Sequence, residues 1–146
     1  MATPEQNKET MRRFYEEVFN EKNLDHARET ITDDFVEHEE FPGMPPGKEG
    51  AIKTFEMMFG STPDMTAEVL DSIVSGDRVA ARGIFRGTVT GGFMPGTQPT
   101  NKPYSMELID IVRFDDEGKA AEHWGIVDMM GAMGQLGLLP PPGGEG

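Results

Sequence analysis

The hydrophobic period of this chain changes once, and that change narrows the folds open to it. Up to Phe59 the apolar side chains recur at helical spacing, whereas from Thr66 onward they alternate with a period of two. Amphipathic helices and half-buried strands each present one apolar face, so the helical half has to lie on the stranded half. The leading stripe is Met11, Phe14, Tyr15, Val18 and Phe19, spaced i, i+3, i+4, i+7 and i+8 along one helix. Thr3, Pro4 and Gln6 supply its cap, a residue suited to the first turn and the capping-box partner. A shorter helix carries Leu24, Ala27 and Ile31 and stops at the "TDD" of residues 32–34. "FVEHEEF" then reads as a short strand closed by "PGMPPG" at 42–47, and a third helix from about Lys48 to Phe59 sets Ile52, Phe55 and Phe59 on one face.

The alternating half divides into two strand pairs. Residues 66–74 and 78–90 are joined by "SGDR", and the second of these strands places Val79, Ala81, Phe85 and Val89 on one side. The long Gly/Pro loop "GGFMPGTQPTNKP" separates them from strands at 104–114 and 119–128. If Asp115 pairs with Lys119, the loop Asp116-Glu117-Gly118 has the form of a type I turn followed by a glycine bulge. Directly opposed residues share a face, which sets Asp110 against Trp124 and Met106 against Asp128. One face then carries Met106, Leu108, Asp110 and Val112 with Glu122, Trp124, Ile126 and Asp128. The expected fold is α+β, with helices packed on one face of a curved, mostly antiparallel sheet and a conical cavity at its open end.

The 146 residues suffice for one hydrophobic core, so a single domain is expected over 1–138, with the Pro/Gly tail "LPPPGGEG" at 139–146 as a flexible end. A net charge of −13 with no basic stripe argues against nucleic acid and anionic lipid surfaces as partners. The absence of cysteine removes disulfides, thiolate metal sites and a cysteine nucleophile, which fits a cytoplasmic protein. No apolar run approaches a membrane span, and the N-terminus lacks a signal-peptide pattern. His26, His38 and His123 show no ligand spacing and the acidic pairs lack a calcium-loop pattern, so no metal is expected, and no Gly-rich phosphate motif or Rossmann fingerprint is present.

The candidate chemistry rests on a few residues. A carboxyl at Asp128 inside an apolar pocket would have a raised pKa and could act as general acid or base; the alternative is an Asp that caps a helix beginning at Met129. His38, near Phe35 and Phe41, is either a second catalytic group or a structural histidine. Asp110, Trp124, Met106 and Phe55 are candidate substrate contacts, with Met129, Met130 and Met133 adding a thioether lining unless they are plain core. Asp110 and Asp128 could suggest paired carboxylates of the epoxide-hydrolase kind, but this register separates their levels by about 13 Å, and parity turns Arg82 away. A steroid-isomerase-like role would need a phenol donor, for which Tyr15 and Tyr104 are available.

These residues also carry a resemblance. "VAARGIFRGTVTGGFMPGTQPTNKP" followed by "IDIVRFDDEGKAAEHWGIVDMMGAMGQLG" is similar to the SnoaL-like polyketide cyclases, or ester cyclases, a branch of the nuclear transport factor 2-like superfamily. The similarity runs from about Glu5 to Gly137. Its most specific part is the series Arg113, Phe114, Gly118, Glu122, His123, Trp124, Asp128, Gln135, Leu136 and Gly137. It implies a cone-shaped α+β barrel, a strongly curved mixed sheet wrapped around N-terminal helices, in a homodimer or higher assembly. It also implies cofactor-free, metal-free intramolecular aldol closure of a polyketide ester, with an aspartate at the position of Asp128 as acid/base residue and His38 and Asp110 in the pocket. Asp110 stands where characterised cyclases carry a histidine, which leaves the substrate open. Two classes of function follow: a cofactor-free acid/base enzyme on a small apolar or polycyclic carbonyl compound, or a non-catalytic binding protein of the same fold. On the first, Asp128→Asn abolishes turnover and spares binding.

Overall fold

A computed structural model describes residues 1–92 and 97–139. The capping box forms: Gln6 N–H donates to Thr3 Oγ1 at 3.1 Å, and Thr3 N–H donates to Gln6 Oε1 at 2.8 Å. Helix α1 (Pro4–Phe14) then runs into a π-helical segment, Tyr15–Asn20, in which Glu21 N–H reaches back to Glu16 O at 3.1 Å. Met11, Tyr15, Val18 and Phe19 are all buried, with Phe14 partly so, as the stripe requires.

Helix α2 (Leu24–Thr30) passes directly into strand β1 (Ile31–Glu37). The strand therefore begins four residues before the expected Phe35, and Ile31 belongs to it, with φ −92° and ψ 133°. β-Branched Ile31 and Thr32 favour that extended start, which helical spacing alone does not register. Helix α3 spans Gly47–Ser61, followed by β2 (Thr66–Ser75), β3 (Arg78–Thr88), β4 (Pro103–Phe114), β5 (Ala120–Val127) and helix α4 (Met129–Gln135). Residues 93–96 of the Gly/Pro loop and 140–146 of the tail lie outside the described residues.

The five strands form one open sheet in the order β1-β5-β4-β3-β2, in which β1 runs parallel to β5 and the other pairs are antiparallel. Its inner face takes the helices: Val79, Ala81, Phe85 and Val89 are buried there, as the alternation predicts. Complete burial of Val18, Ile52, Val79 and Val89 removes roughly 1.5–3 kcal/mol of exposed apolar surface per side chain.

One residue changes what that face carries. The turn forms as expected, with Asp115 N–H donating to Lys119 O at 2.8 Å and Gly118 at φ +79°, a left-handed conformation that favours glycine. Above the turn, however, Phe114 opposes Ala120 while Arg113 opposes Glu122, so Ala121 is an extra residue in β5. A bulge of one residue moves every later side chain to the other face. Asp110 accordingly opposes Gly125 and Leu108 opposes Val127, instead of the expected Asp110–Trp124 and Met106–Asp128 pairs. The inner face of β5 is His123, Gly125 and Val127; Glu122, Trp124 and Ile126 face outward.

Backbone groups that the strand pairs leave open are taken up by side-chain amides. Asn20, at the end of the π segment, donates from Nδ2 to Ala67 O at 3.0 Å and accepts from Ala67 N–H at 2.6 Å, pairing the outer strand β2 as a neighbouring strand would. Gln135 does the same for Ser105 on β4, at 2.7 and 2.9 Å. Asn20→Ala strands both backbone groups of Ala67 and is expected to cost about 2 kcal/mol, read as a lower urea midpoint at unchanged slope. An unchanged midpoint would contradict this pairing.

Candidate functional site

The space between the inner face, the first two helical segments, α3 and the connection from β1 to α3 is a cavity of about 140 Å³. Its walls are mostly apolar: Phe14, Phe19, Phe35, Phe55, Leu108 and Val112 line it. The rings interlock edge to face, Phe19 to Phe55 at 5.3 Å and Phe14 to Phe55 at 5.8 Å between centroids, which fixes this wall. Glu37, Asp110 and His123 of the sheet, with Glu39 and Glu40 of the connection after β1, also line the cavity.

Three of them form a continuous chain with Tyr15. His123 Nε2 lies 2.9 Å from Asp110 Oδ1 and Nδ1 lies 2.5 Å from Glu37 Oε1. A ring with a carboxylate on each nitrogen donates from both and is an imidazolium. Burial opposes that charge, but the hydrogen bonds and charges of Asp110 and Glu37 overcome it and hold the His123 pKa up at about 10. Tyr15 Oη donates to the other oxygen of Asp110. Burial, followed by the charge and hydrogen bond of Asp110, pushes the Tyr15 pKa well above the usual range of a phenol, so it stays a neutral donor. Gly83 makes room for the tyrosine, since a Cβ there would stand 2.9 Å from its ring.

Glu39 approaches from the connection after β1, tied down by its own N–H, which donates to Glu37 Oε1 at 2.9 Å. The residue as a whole is exposed, yet its carboxyl head folds over Gly125 beside Asp110 and His123. Withdrawal of that head from water raises its pKa to about 7, with Asp110 and Glu37 adding to the rise and His123 opposing it.

Of the residues singled out in the sequence, Asp110 and Phe55 line the cavity. Met106 is buried in the core behind it. Asp128 is exposed and caps α4, accepting from Gly131 N–H at 2.9 Å; it does not line the cavity, because the bulge turns it away. His38 and Trp124 lie on the outer face, their rings stacked 4.8 Å apart with 7° between planes, and His38 Nε2 meets Glu122 Oε2 at 2.7 Å. Met129, Met130 and Met133 do not reach the cavity either, whose thioethers come from Met11, Met44 and Met58. Arg82 is on the outer side, 3.9 Å from Glu107.

Sequence reasoning missed Tyr15, Glu37, Glu39 and His123. Tyr15 was legible as part of the helical stripe and as one of two available phenols, but nothing in the sequence joined it to Asp110. The other three sit in the acidic "VEHEE" and in "EHW", where the sole signal is polar residues on alternate positions of two strands that pair. Among the described residues no group of three His, Cys, Asp or Glu side chains is arranged to hold a metal ion, and no helix is long and apolar enough to cross a membrane.

Because the His123 pKa is higher folded than unfolded, the native state holds an extra proton between pH 6.5 and about 10. Its stabilising contribution is therefore complete below pH 6.5 and lost as the pH rises through about 10. Calorimetric Tm should fall across that window more steeply in wild type than in His123→Gln; parallel curves would contradict a charged imidazole.

Comparison with known proteins shows what the whole chain is similar to. The family model of the SnoaL-like polyketide cyclases matches residues 9–136. Wild-type IdmH from Streptomyces antibioticus, described as a proposed polyketide cyclase, is 36% identical with a TM-score of 0.77, over 90% of this chain and 99% of that one. TsrD from Streptomyces laurentii is 26% identical with a TM-score of 0.84, over 95% of this chain and 100% of that one. AclR from Streptomyces galilaeus, described as a proposed hydroxylase, is 28% identical with a TM-score of 0.82, over 95% of this chain and 89% of that one. No curated protein matches the sequence.

Proposed function

Since the chain belongs to the SnoaL-like polyketide cyclase family, we propose that it is a cofactor-free acid/base enzyme that closes a ring in an apolar carbonyl compound by intramolecular aldol addition. The observation that carries this reading is the buried chain Tyr15–Asp110–His123–Glu37 facing an aromatic-walled cavity. Asp110 accepts from a phenol and an imidazolium, which fix its carboxylate without rotational freedom. Held there, it removes a proton α to the carbonyl; preorganised charge at the point of proton transfer is the usual source of such catalysis. Phe14, Phe19 and Phe55 hold the flat, apolar part of the substrate and keep water from the enolate. A cavity of about 140 Å³ takes roughly one aromatic ring. A polycyclic substrate enters only as the β1–α3 connection moves outward.

Asp110→Asn keeps the shape and removes the base. With an aromatic keto ester carrying an enolisable methylene as substrate, turnover should drop at least about 100-fold while calorimetric affinity changes little. Undiminished turnover would refute the assignment, and binding without turnover in wild type would favour a plain binding protein. An epoxide-hydrolase reading draws no support here, because Arg82 and Asp128 both lie away from the cavity.

We also propose a homodimer through the open face of the sheet. Ile73, Ile109 and Ile126 are 71, 57 and 78% exposed, and Ile73, Ala80, Ile111 and Trp124 form one row across four strands. Large apolar side chains left exposed together on one sheet face mark an interaction surface. Arg78 over Trp124 at 4.8 Å, and Arg113 with Glu122 at 2.9 Å, give it a charged rim. Light scattering should give twice the chain mass for wild type and a single chain for Ile126→Glu; a monomeric wild type would refute this interface.

A further inference from the structure

With Asp110 as the base that forms the enolate, the alkoxide produced on ring closure still needs an acid. Gly125 points to one. A Cβ built on Gly125 would lie 2.2 Å from Glu39 Oε2, 2.8 Å from Asp110 Oδ1 and 2.8 Å from His123 Cε1. The carboxyl of Glu39 therefore occupies the volume that a side chain at 125 would fill, on the inner face of β5 directly opposite Asp110. A glycine at this position of a sheet interior weakens the strand unless something else needs the space. Here a carboxyl from another element fills it.

Two further features suit this carboxyl to give up a proton. Among the described residues no group hydrogen-bonds to it, in contrast to Asp110, which accepts from two donors, and Glu37, which accepts from His123 and from Glu39 N–H. The residue as a whole is exposed although it lines the cavity, which leaves a route for proton exchange with bulk water between turnovers. Two carboxyls in contrasting surroundings on one cavity are the pattern by which acid and base are told apart.

We propose that Glu39 is the general acid of the ring closure, delivered by the β1–α3 connection into the space left by Gly125. This rests on the aldol reading of the site. Asp110 takes the α-proton, leaving the enolate; the enolate carbon forms the new C–C bond to the second carbonyl carbon. The π-pair of that carbonyl moves to its oxygen, and the Glu39 O–H proton passes to this oxygen. The product is the neutral aldol, Asp110 is protonated and Glu39 is a carboxylate, and one proton exchanged through water restores both.

The test uses the full chain and the same aromatic keto ester. Wild-type kcat should fall above about pH 7, where Glu39 loses its proton. Glu39→Gln should lower kcat by about 100-fold and lose that alkaline limb, with KM little changed. Gly125→Asp alone, with two carboxyls in one volume, should be impaired. The double variant Glu39→Ala/Gly125→Asp should recover at least tenfold over Glu39→Ala, because β5 then supplies the carboxyl itself. A merely structural role for the loop would show no such rescue. Wild-type kcat and an unchanged pH profile in Glu39→Gln would overturn the proposal while leaving the aldol reading standing, provided Asp110→Asn is inactive. Full activity in both variants, or no turnover in wild type, would overturn both.

Discussion

The interior of this protein is organised around one buried cation. His123 bonds Asp110 on β4 through one ring nitrogen and Glu37 on β1 through the other, and Asp110 in turn holds Tyr15 of the π-helical segment. Unpaired carboxylates beside an aromatic cavity would be expensive, and a buried imidazolium alone would simply lose its proton. Together they satisfy one another, and in doing so they fix the register of three strands and the rotation of the N-terminal helix. A chain with net charge −13 can gather acids in its interior only where such a cation receives them.

That arrangement depends on Ala121. With the bulge, β5 gives His123 and Gly125 to the cavity and Trp124 and Ile126 to the outside; without it these roles would exchange. The same strand thus serves two purposes by alternation. Its inner residues carry the chemistry, and its outer residues, with the stacked His38–Trp124 pair and Arg78, build the apolar face with its charged rim.

The helices, the strand pairs and the turn at Gly118 were legible in the sequence because each rests on a local rule: a capping box, a stripe at helical spacing, alternation, a glycine that accepts positive φ. Asp110 and Phe55 were legible as cavity residues for the same reason. The face of β5 was not, because Ala120 and Ala121 are small enough to be buried on either side and neither marks where the pairing slips. Counting from the turn without the bulge moved Asp128 and Trp124 inward and His123 outward. Glu37 and Glu39 were hidden differently: in a strongly acidic chain, two more glutamates read as solvated surface, and only the three-dimensional meeting with His123 distinguishes them. What looked like a carboxylate misplaced in the core is a helix cap in water, while Asp110 and Glu37, inside, are paired with His123.

The site stands or falls on His123 being a charged, doubly bonded imidazole. With only three histidines in the chain, its ring resonances can be assigned by comparison with His123→Gln and followed by NMR as the pH is varied. His123 should show no titration through neutrality and a midpoint near 10, with both ring nitrogens protonated at pH 7. A midpoint at or below 6.5, or a single protonated nitrogen at pH 7, would contradict it.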